Sequence, residues 1–173
     1  MNINSAIIQG AKDLKDRFIK NPLLDSEILM TKAIQKDKKY ILLNSKKVLD
    51  TEDLNYFQEL IEERSIGKPI AYLIKKKFFW NSEFIVSEDT LIPRPDTELL
   101  VEKVLDLTAF KNKLNILEIG IGSGCILLSI LKERKSFYGT GIDISKSCLN
   151  ISKLNATNLK VISKLKLYKS DVD

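Results

Sequence analysis

Histidine is absent from this sequence of 173 residues, and cysteine occurs only twice, as Cys125 and Cys148. Without histidine, the chain cannot build a Ser-His-Asp or Cys-His catalytic group, a histidine metal ligand or a histidine pH switch. Two cysteines that lie apart in sequence exclude a disulfide framework and argue against a structural zinc ion, so no metal site is expected. This cysteine usage is typical of a reducing compartment.

Long hydrophobic runs are also missing. No stretch has the apolar length of a signal peptide or a membrane span, so we expect a soluble, cytoplasmic protein with no membrane partner. The net charge is +5, with 28 Lys and Arg against 23 Asp and Glu. Because the two signs are interleaved, the run Lys75-Lys76-Lys77 is expected to be a solvated face, and no direct nucleic-acid partner is expected.

Apolar residues recur at helical spacing at the start of the chain, at Ile3, Ile7, Ala11, Leu14 and Phe18. This spacing predicts a helix over residues 3–19. Asp25 is predicted to cap a second helix, and Thr51 is predicted to be the N-cap of a third helix, which Gly67 ends. Residues 1–67 are therefore predicted to form a small helical domain.

The pattern changes near residue 70. Residues 70–74 and 79–86 are rich in aromatic and β-branched residues and flank a lysine-rich turn, which predicts a β-hairpin within a linker of residues 68–96. A helix is predicted over residues 98–107. Its inward-facing residues are expected to be Leu99, Leu100, Val101, Val104 and Leu105.

The last part of the chain, residues 97–173, alternates short apolar strands with helices. Strands are predicted at residues 114–119, 138–142 and 165–169, and helices at residues 125–133 and 146–155. This alternation indicates a parallel sheet covered by helices.

Three glycines spaced by two, Gly120, Gly122 and Gly124, follow the first of these strands. Glycines at a strand-to-helix turn let a ligand approach the main chain closely, and ligands of parallel sheets bind at the carboxyl ends of the strands. Cys125 stands where the dinucleotide fingerprint needs glycine, and no Gly-Lys-Ser/Thr follows as in a phosphate loop. The pattern Glu-x-Gly-x-Gly-x-Gly from Glu118 is typical of S-adenosylmethionine binding.

Acidic residues follow the next two strands. Asp143 ends the second strand, where a carboxylate accepts two hydrogen bonds from a ribose diol. Asp171 follows the third, where a carboxylate accepts from an adenine amino group. Glu118 either orders the loop or meets the ammonium group of the cofactor. The alternative is that Asp143 and Asp171 are helix or loop caps, and Cys125 is interpreted as a small buried residue rather than a nucleophile.

Four stretches carry a family resemblance. They are Gly67-Lys68-Pro69-Ile70-Ala71-Tyr72, Phe79-Trp80, Phe84-x-Val86, and Leu91-Ile92-Pro93-Arg94-Pro95-Asp96-Thr97-Glu98. With the glycine loop, they resemble the protein-(glutamine-N5) methyltransferases of the HemK/PrmC type over essentially the whole chain. The resemblance implies an α/β fold with a small N-terminal helical domain, a β-hairpin linker and the first half of a Rossmann-like class I methyltransferase sheet. Lys75 departs from a glycine usual in the hairpin turn, which is interpreted as a tolerated surface change.

The resemblance also implies an activity. Members of this family use S-adenosylmethionine to methylate the glutamine of the Gly-Gly-Gln motif in peptide-chain release factors, and their helical domain grips the release factor. The cofactor would then meet Gly120, Ile121, Gly122, Ser123 and Gly124 at its methionine end, Asp143 at the ribose, and Asp171 and Val172 at the adenine. Pro95, Asp96 and Thr97 would face the cofactor and the entering glutamine, while Arg94 and Glu98 would pair or hold the turn.

The family takes its amide-binding groups from an Asn-Pro-Pro-Tyr motif after the fourth strand, and this sequence contains no such motif. No catalytic residue is therefore assigned. We expect a truncated or split member whose first strand is left as an unpaired edge. Catalysis is expected to be absent from these residues alone, and a second polypeptide that completes the sheet is one candidate partner.

Two other functions fit parts of the pattern. A nucleic-acid adenine methyltransferase also uses an Asn-Pro-Pro-Tyr pocket, but the Pro-Arg-Pro-Asp-Thr-Glu linker and the absence of a strongly basic face argue against it. A non-catalytic module in which residues 1–67 retain release-factor affinity is the second alternative.

Overall fold

The computed structural model describes residues 1–171 and divides the chain into two compact units, Met1–Ile74 and Lys75–Asp173. The first unit is built from helices, and the second contains a hairpin and a parallel sheet. This combination confirms the predicted α/β class. The finer division into residues 1–67, 68–96 and 97–173 stays a prediction.

Five helices form the first unit: α1 (Ile3–Asp16), α2 (Pro22–Ala33), α3 (Lys38–Leu43), α4 (Thr51–Ser65) and α5 (Ile70–Ile74). Three of them begin with a side-chain cap. Asn2, Asp37 and Asp50 each accept a hydrogen bond from the backbone N–H three residues on, at 2.7–2.8 Å. Such caps satisfy donors that the first turn of a helix leaves without a partner.

The core of this unit lies where α1, α2 and α4 meet. Leu14, Leu29 and Met30 are completely buried there. A Cβ at Gly10 would lie only 2.8 Å from Cδ1 of Ile61, so the absence of a side chain allows α1 and α4 to approach closely.

Several expectations for this unit were wrong by a few residues. Asn21 stands at the N-cap of α2, whereas Asp25 lies in the first turn and pairs with Arg64 at 2.8 Å between Oδ2 and Nε. The N-cap of α4 is Asp50 rather than Thr51, because the Asp50 carboxylate reaches the third N–H. Phe18 lies beyond the end of α1, is 94% exposed and has a φ of 59°.

The predicted strand at residues 70–74 is helix α5. Pro69 precedes it, and its carbonyl accepts from the N–H groups of Tyr72 and Leu73, while the Leu73 side chain is buried. Burial against helices therefore overrides the β propensity of this segment. Lys75, with a φ of 59°, follows as the junction before the hairpin, a backbone position that glycine favours.

The second unit contains β1 (Lys76–Phe79), β2 (Ser82–Ile85), α6 (Glu98–Leu107), β3 (Asn115–Ile119), α7 (Cys125–Glu133), β4 (Tyr138–Asp143), α8 (Lys146–Asn158) and β5 (Leu165–Lys169). Strands β1 and β2 form an antiparallel hairpin, whose turn is Trp80-Asn81 rather than the predicted lysine run. Strands β3, β4 and β5 form a parallel sheet in that order. The predicted parallel sheet is confirmed.

The two faces of the sheet differ. Leu127, Leu128 and Leu131 of α7 are completely buried in the core of this unit. Side chains alternate along a strand, and the other face carries a row that crosses three strands, Ile119 beside Ile142 and Ile142 beside Tyr168.

This row is largely open to solvent, with Ile119 59% and Tyr168 54% exposed, and Leu117 lies on the same face of β3 at 57% exposed. Within residues 1–171, β3 pairs with β4 alone, so its other edge is open. We call these three side chains, with Ile142, the bare face. Leu99 and Leu100 of α6, predicted to face inward, are also half exposed, whereas Val101 is buried.

Candidate functional site

The loop between β3 and α7 is the centre of the candidate site. Gly120, Gly122 and Gly124 have φ values of 73°, 55° and 79°, in the left-handed region that side chains disfavour. At Gly124 a Cβ would also lie 2.8 Å from Cδ1 of Leu128. The alternating glycines therefore give the chain a shape that other residues would strain.

The next strand holds this loop. The N–H groups of Gly120 and Ile121 both donate to the carbonyl of Ile142, at 2.8 and 3.0 Å. The carboxylate of Asp143 accepts from the N–H of Gly122 at 2.9 Å and, through its other oxygen, from the N–H of Ser145 at 2.9 Å. Asp143 thus ties the glycine loop to the loop after β4. This contact agrees with the alternative in which Asp143 caps a loop.

Helix α8 holds the loop from the other side. The Ser152 hydroxyl donates to the carbonyl of Gly122 at 2.7 Å, and Nδ2 of Asn155 donates to the carbonyl of Ser123 at 2.8 Å. Sequence reasoning missed both residues. Their spacing of three on a predicted helix was the available signal, because polar side chains on an inner helix face need partners.

Glu118 lies in β3, two residues before the loop. Its Oε2 accepts a hydrogen bond from the N–H of Leu127 in the first turn of α7, at 3.1 Å. This contact supports the loop-ordering interpretation of Glu118, and the contact with an ammonium group stays a prediction. Burial raises the pKa of Glu118 to about 7, although the hydrogen bond from Leu127 opposes the shift.

The predicted residues inside the loop differ in exposure. Ile121 and Ser123 are buried, and Ile121 packs so close to Gly141 that a Cβ there would lie 2.3 Å from its Cδ1. These two residues therefore offer backbone rather than side-chain atoms to a ligand. Burial raises the pKa of Cys125 to about 11, so its thiol stays protonated at neutral pH.

The remaining predicted residues lie at two further places. Asp171 is exposed after the end of β5, the strand next to β4, and Val172 lies outside the described residues. Pro95, Asp96 and Thr97 form one 3-10 turn before α6, closed by a hydrogen bond from the N–H of Thr97 to the carbonyl of Arg94. Among residues 1–171, no hydrogen bond joins this turn to the glycine loop.

Glu98, predicted to pair with Arg94 or to hold the turn, bonds the hairpin turn. Its Oε1 accepts from the backbone N–H of Trp80 at 2.8 Å, which fastens the hairpin turn to the start of α6.

The open side of the loop suits a ligand that approaches main-chain atoms. A Cβ at Gly120 would have no atom within 4 Å, so there is free space above the loop. Each oxygen of Asp143 accepts one hydrogen bond and keeps a second acceptor site. Because a carboxylate offers only acceptors, Asp143 fits the two donating hydroxyls of a ribose diol.

Within residues 1–171, no group of three or more His, Cys, Asp and Glu side chains is placed to hold a metal ion. No described helix has both the length and the apolar character needed to cross a bilayer.

Comparison with known proteins gives close relatives. Residues 5–74 match the family described as the PrmC N-terminal domain. The chain is 40% identical over 161 residues to a release factor glutamine methyltransferase of Buchnera aphidicola subsp. Schizaphis graminum, covering 93% of this chain and 58% of that protein. It is 36% identical over 148 residues to one of Shewanella oneidensis, covering 86% of this chain and 51% of that protein. The chain spans about half the length of the curated relatives it matches.

Solved structures give a weaker likeness. A SAM-dependent methyltransferase from Geobacter sulfurreducens, in complex with S-adenosyl-L-homocysteine, shares 24% identity and a TM-score of 0.38 with 45% of this chain and 30% of its own.

Proposed function

We infer that this chain supplies the cofactor half of a release factor glutamine methyltransferase, the activity named for the relatives that it matches at 36% and 40% identity. The glycine loop tied to Asp143 is the observation that carries the proposal. S-adenosylmethionine supplies an activated methyl group when bound, and the residues of this chain hold and orient it. The substrate is proposed to be the glutamine of a Gly-Gly-Gln motif in a peptide-chain release factor, which places the chain in the cytoplasm.

Each predicted site residue has a part in this proposal. The backbone of residues 120–124 holds the methionine end, and Glu118 keeps that loop fixed on α7. The free acceptor sites of Asp143 bind the ribose, and Asp171 with Val172 binds the adenine. Pro95, Asp96 and Thr97 lie on the substrate side.

An amide nitrogen is a poor nucleophile because its lone pair is delocalised into the carbonyl. The reaction therefore depends on holding that nitrogen in line with the methyl group and on acceptors for its N–H groups. These 173 residues contain no Asn-Pro-Pro-Tyr motif to provide such acceptors. We propose that such acceptors lie in a segment that packs on the bare face and along the open edge of β3.

The helical unit is proposed to contact the release factor. A cavity of about 410 Å³ lies between α1 and α4, with Phe57 and Ile61 among its apolar lining. Its charged lining is mainly acidic, with Asp13, Asp16 and Glu62 against Arg17. This combination suits a basic segment with an apolar anchor. The double charge reversal Asp16→Lys and Glu62→Lys is expected to weaken release-factor binding at least about tenfold, while Glu59→Gln on the same unit leaves it unchanged.

Calorimetric titration of S-adenosylmethionine into the chain tests the cofactor proposal. Saturable binding is expected, lost in Asp143→Ala and weakened in Asp171→Asn, with Glu59→Gln as the control that removes one exposed carboxylate. Because Asp143 also anchors the loop, Asp171→Asn is the cleaner of the two variants. Equal affinity in all variants would place the cofactor elsewhere, and no binding by the folded chain would refute this half of the proposal.

Methyl transfer to a purified release factor tests the proposed source of these acceptors. The chain alone is expected to give no methylated glutamine, and activity is expected when the carboxyl-terminal half of the Shewanella oneidensis relative is added. Methylation by the chain alone would contradict the proposal. Methylation of DNA but not of a release factor would instead favour the adenine methyltransferase alternative.

A further inference from the structure

Helix α8 presents polar side chains to the interior. Cys148, Ser152 and Asn155 follow one another at spacings of four and three and are all buried. They lie on one face of the helix because residues at these spacings are helical neighbours. An inner helix face is normally apolar, so three polar groups there need an explanation.

Each of these groups bonds a backbone atom outside α8. The Cys148 thiol donates to the carbonyl of Asp89 at 3.1 Å, in the segment that follows β2. Ser152 bonds the carbonyl of Gly122, in the glycine loop. Asn155 bonds both strand β2 and the glycine loop.

Asn155 uses its whole side chain. Oδ1 accepts from the N–H of Ile85 at 2.7 Å, while Nδ2 donates to the carbonyl of Ile85 at 2.9 Å and to the carbonyl of Ser123 at 2.8 Å. The amide thus pairs with Ile85 as a neighbouring strand would, and its remaining N–H reaches the glycine loop. Asn155 has only 1% of its surface exposed, so its side chain is shielded from water.

We propose that Asn155 is a positioning residue that couples strand β2 to the glycine loop, so that the linker after β2 keeps a fixed place relative to the loop. The inference rests on the proposed function, because that linker leads to Pro95–Thr97 on the substrate side and the loop faces the cofactor. Helix α8 would thus align the substrate side of the site with the cofactor side.

Only an amide of this length meets all three backbone groups. Aspartate has the same shape but no donor, so its carboxylate would face the carbonyls of Ser123 and Ile85. The variant Asn155→Asp therefore breaks both donated bonds and retains the acceptor for the N–H of Ile85. Ser152→Ala removes one bond to the loop and none to β2.

Amide hydrogen exchange of the full chain without ligand tests the coupling. We expect Asn155→Asp to speed exchange about tenfold or more in both segments, residues 82–86 and 121–125, which matches loss of a buried hydrogen bond. Ser152→Ala should speed exchange in residues 121–125 only. Ala156→Gly, which weakens the same helix without touching the polar face, is the control, compared at conditions of equal fraction folded.

S-adenosylmethionine affinity is the second measurement. If the chain binds it, Asn155→Asp should weaken binding at least about tenfold, and Ala156→Gly should leave it within about twofold. Exchange in Asn155→Asp that equals the Ala156→Gly control overturns the coupling. Faster exchange with unchanged affinity overturns the positioning role.

Absence of binding by the unmodified chain would remove the proposed function, and the exchange comparison would then decide the coupling by itself. Should Asn155→Asp fail to fold, Asn155→Ala decides the proposal, because it removes all three bonds without adding a charge. Faster exchange in both segments is then expected, and exchange equal to the Ala156→Gly control overturns the coupling.

Discussion

The two units leave different kinds of apolar residue on the surface. In Met1–Ile74 several of the exposed residues stand at helix ends, such as Phe18 after α1, Leu43 at the end of α3 and Ile66 after α4. In the second unit the exposed residues Leu117 and Ile119 lie on β3 and Tyr168 lies on β5, on either side of β4, and all three point to the same side of the sheet. Scattered exposure is normal for a finished surface, whereas a continuous apolar row marks an interface.

The difference teaches where each unit obtains its stability. Helices of the first unit close their ends with the caps Asn2, Asp37 and Asp50 and bury their apolar stripes against one another. The sheet of the second unit buries one face against helices and leaves the bare face and the β3 edge open. We expect the second unit to gain more from a partner than the first.

The largest effect is expected from truncating a buried leucine in either unit. Leu29→Ala in the first and Leu128→Ala in the second each remove a completely buried side chain. The free energy of unfolding should fall by about 2–5 kcal/mol in both, since the lost transfer energy adds to the cost of a cavity. Urea denaturation followed by circular dichroism measures this. A loss below about 1 kcal/mol at Leu128 alone would show that the second unit is loosely packed.

A pair of glycines gives the next comparison. Gly67, with a φ of 98°, has no atom within 4 Å of an added Cβ, whereas at Gly124, with a φ of 79°, the Cβ would press on Leu128. Gly67→Ala should cost about 1 kcal/mol from backbone strain alone, and Gly124→Ala about 2–4 kcal/mol from strain and overpacking. Thermal unfolding measures both, and equal losses would mean that Leu128 moves aside at no cost.

Glu118 gives the second unit a pH dependence. Its pKa is raised from 4.5 to about 7 by burial, so the folded state holds a proton that the unfolded state releases. The contribution of Glu118 to stability is therefore present below pH 4.5 and is lost as the pH rises through 7. Glu118→Gln keeps an acceptor for Leu127 and should stabilise the chain by about 1–3 kcal/mol at pH 8, with little change at pH 5.

Denaturant unfolding of wild type and Glu118→Gln across pH 5–8 measures this dependence. Glu59→Gln, an exposed carboxylate of the first unit, is the control for net charge. A difference between Glu118→Gln and wild type that stays constant with pH would contradict the assigned pKa.

The smallest effect on stability is expected at the bare face. Leu117→Ser should change the free energy of unfolding by no more than about 0.5 kcal/mol, because the side chain is already exposed. It should nevertheless reduce self-association, measured by sedimentation at increasing concentration, since exposed apolar strands promote pairing with other chains. Ile66→Ser on the first unit is the matched control and should leave self-association unchanged.

The sequence predicts the regular elements well where periodicity is strong. Helix α7 and strand β5 match their predicted bounds, and α6 begins and ends at the predicted residues. The strand predicted at residues 70–74 was wrong, because an apolar, β-branched run carries no information on whether helices or strands surround it. On α6 the prediction was wrong for Leu99 and Leu100, which are half exposed, because five neighbouring apolar residues cannot all face one side of a helix.

The candidate site was predictable in part. Glycine spacing and the acidic ends of strands placed residues 118–124 and Asp143 at one edge of the sheet, where the structure joins them by hydrogen bonds. The role of Asn155 could not be predicted in this way, because its partners are main-chain atoms of Ile85 and Ser123. Every residue has such atoms, so the residue types at positions 85 and 123 do not reveal the contact. Backbone contacts across 70 and 32 positions appear only once the fold is known.

Trp80, the one tryptophan of the sequence, sits at the turn of the hairpin, where Nε1 donates to Oε1 of Glu133 at 3.0 Å. Its intrinsic fluorescence therefore reports on the second unit and carries no signal from the helices of the first. Emission wavelength and quenching of this indole give an optical probe that needs no label. The tyrosines occur in both units, so their emission gives a reference signal with which the tryptophan emission can be compared.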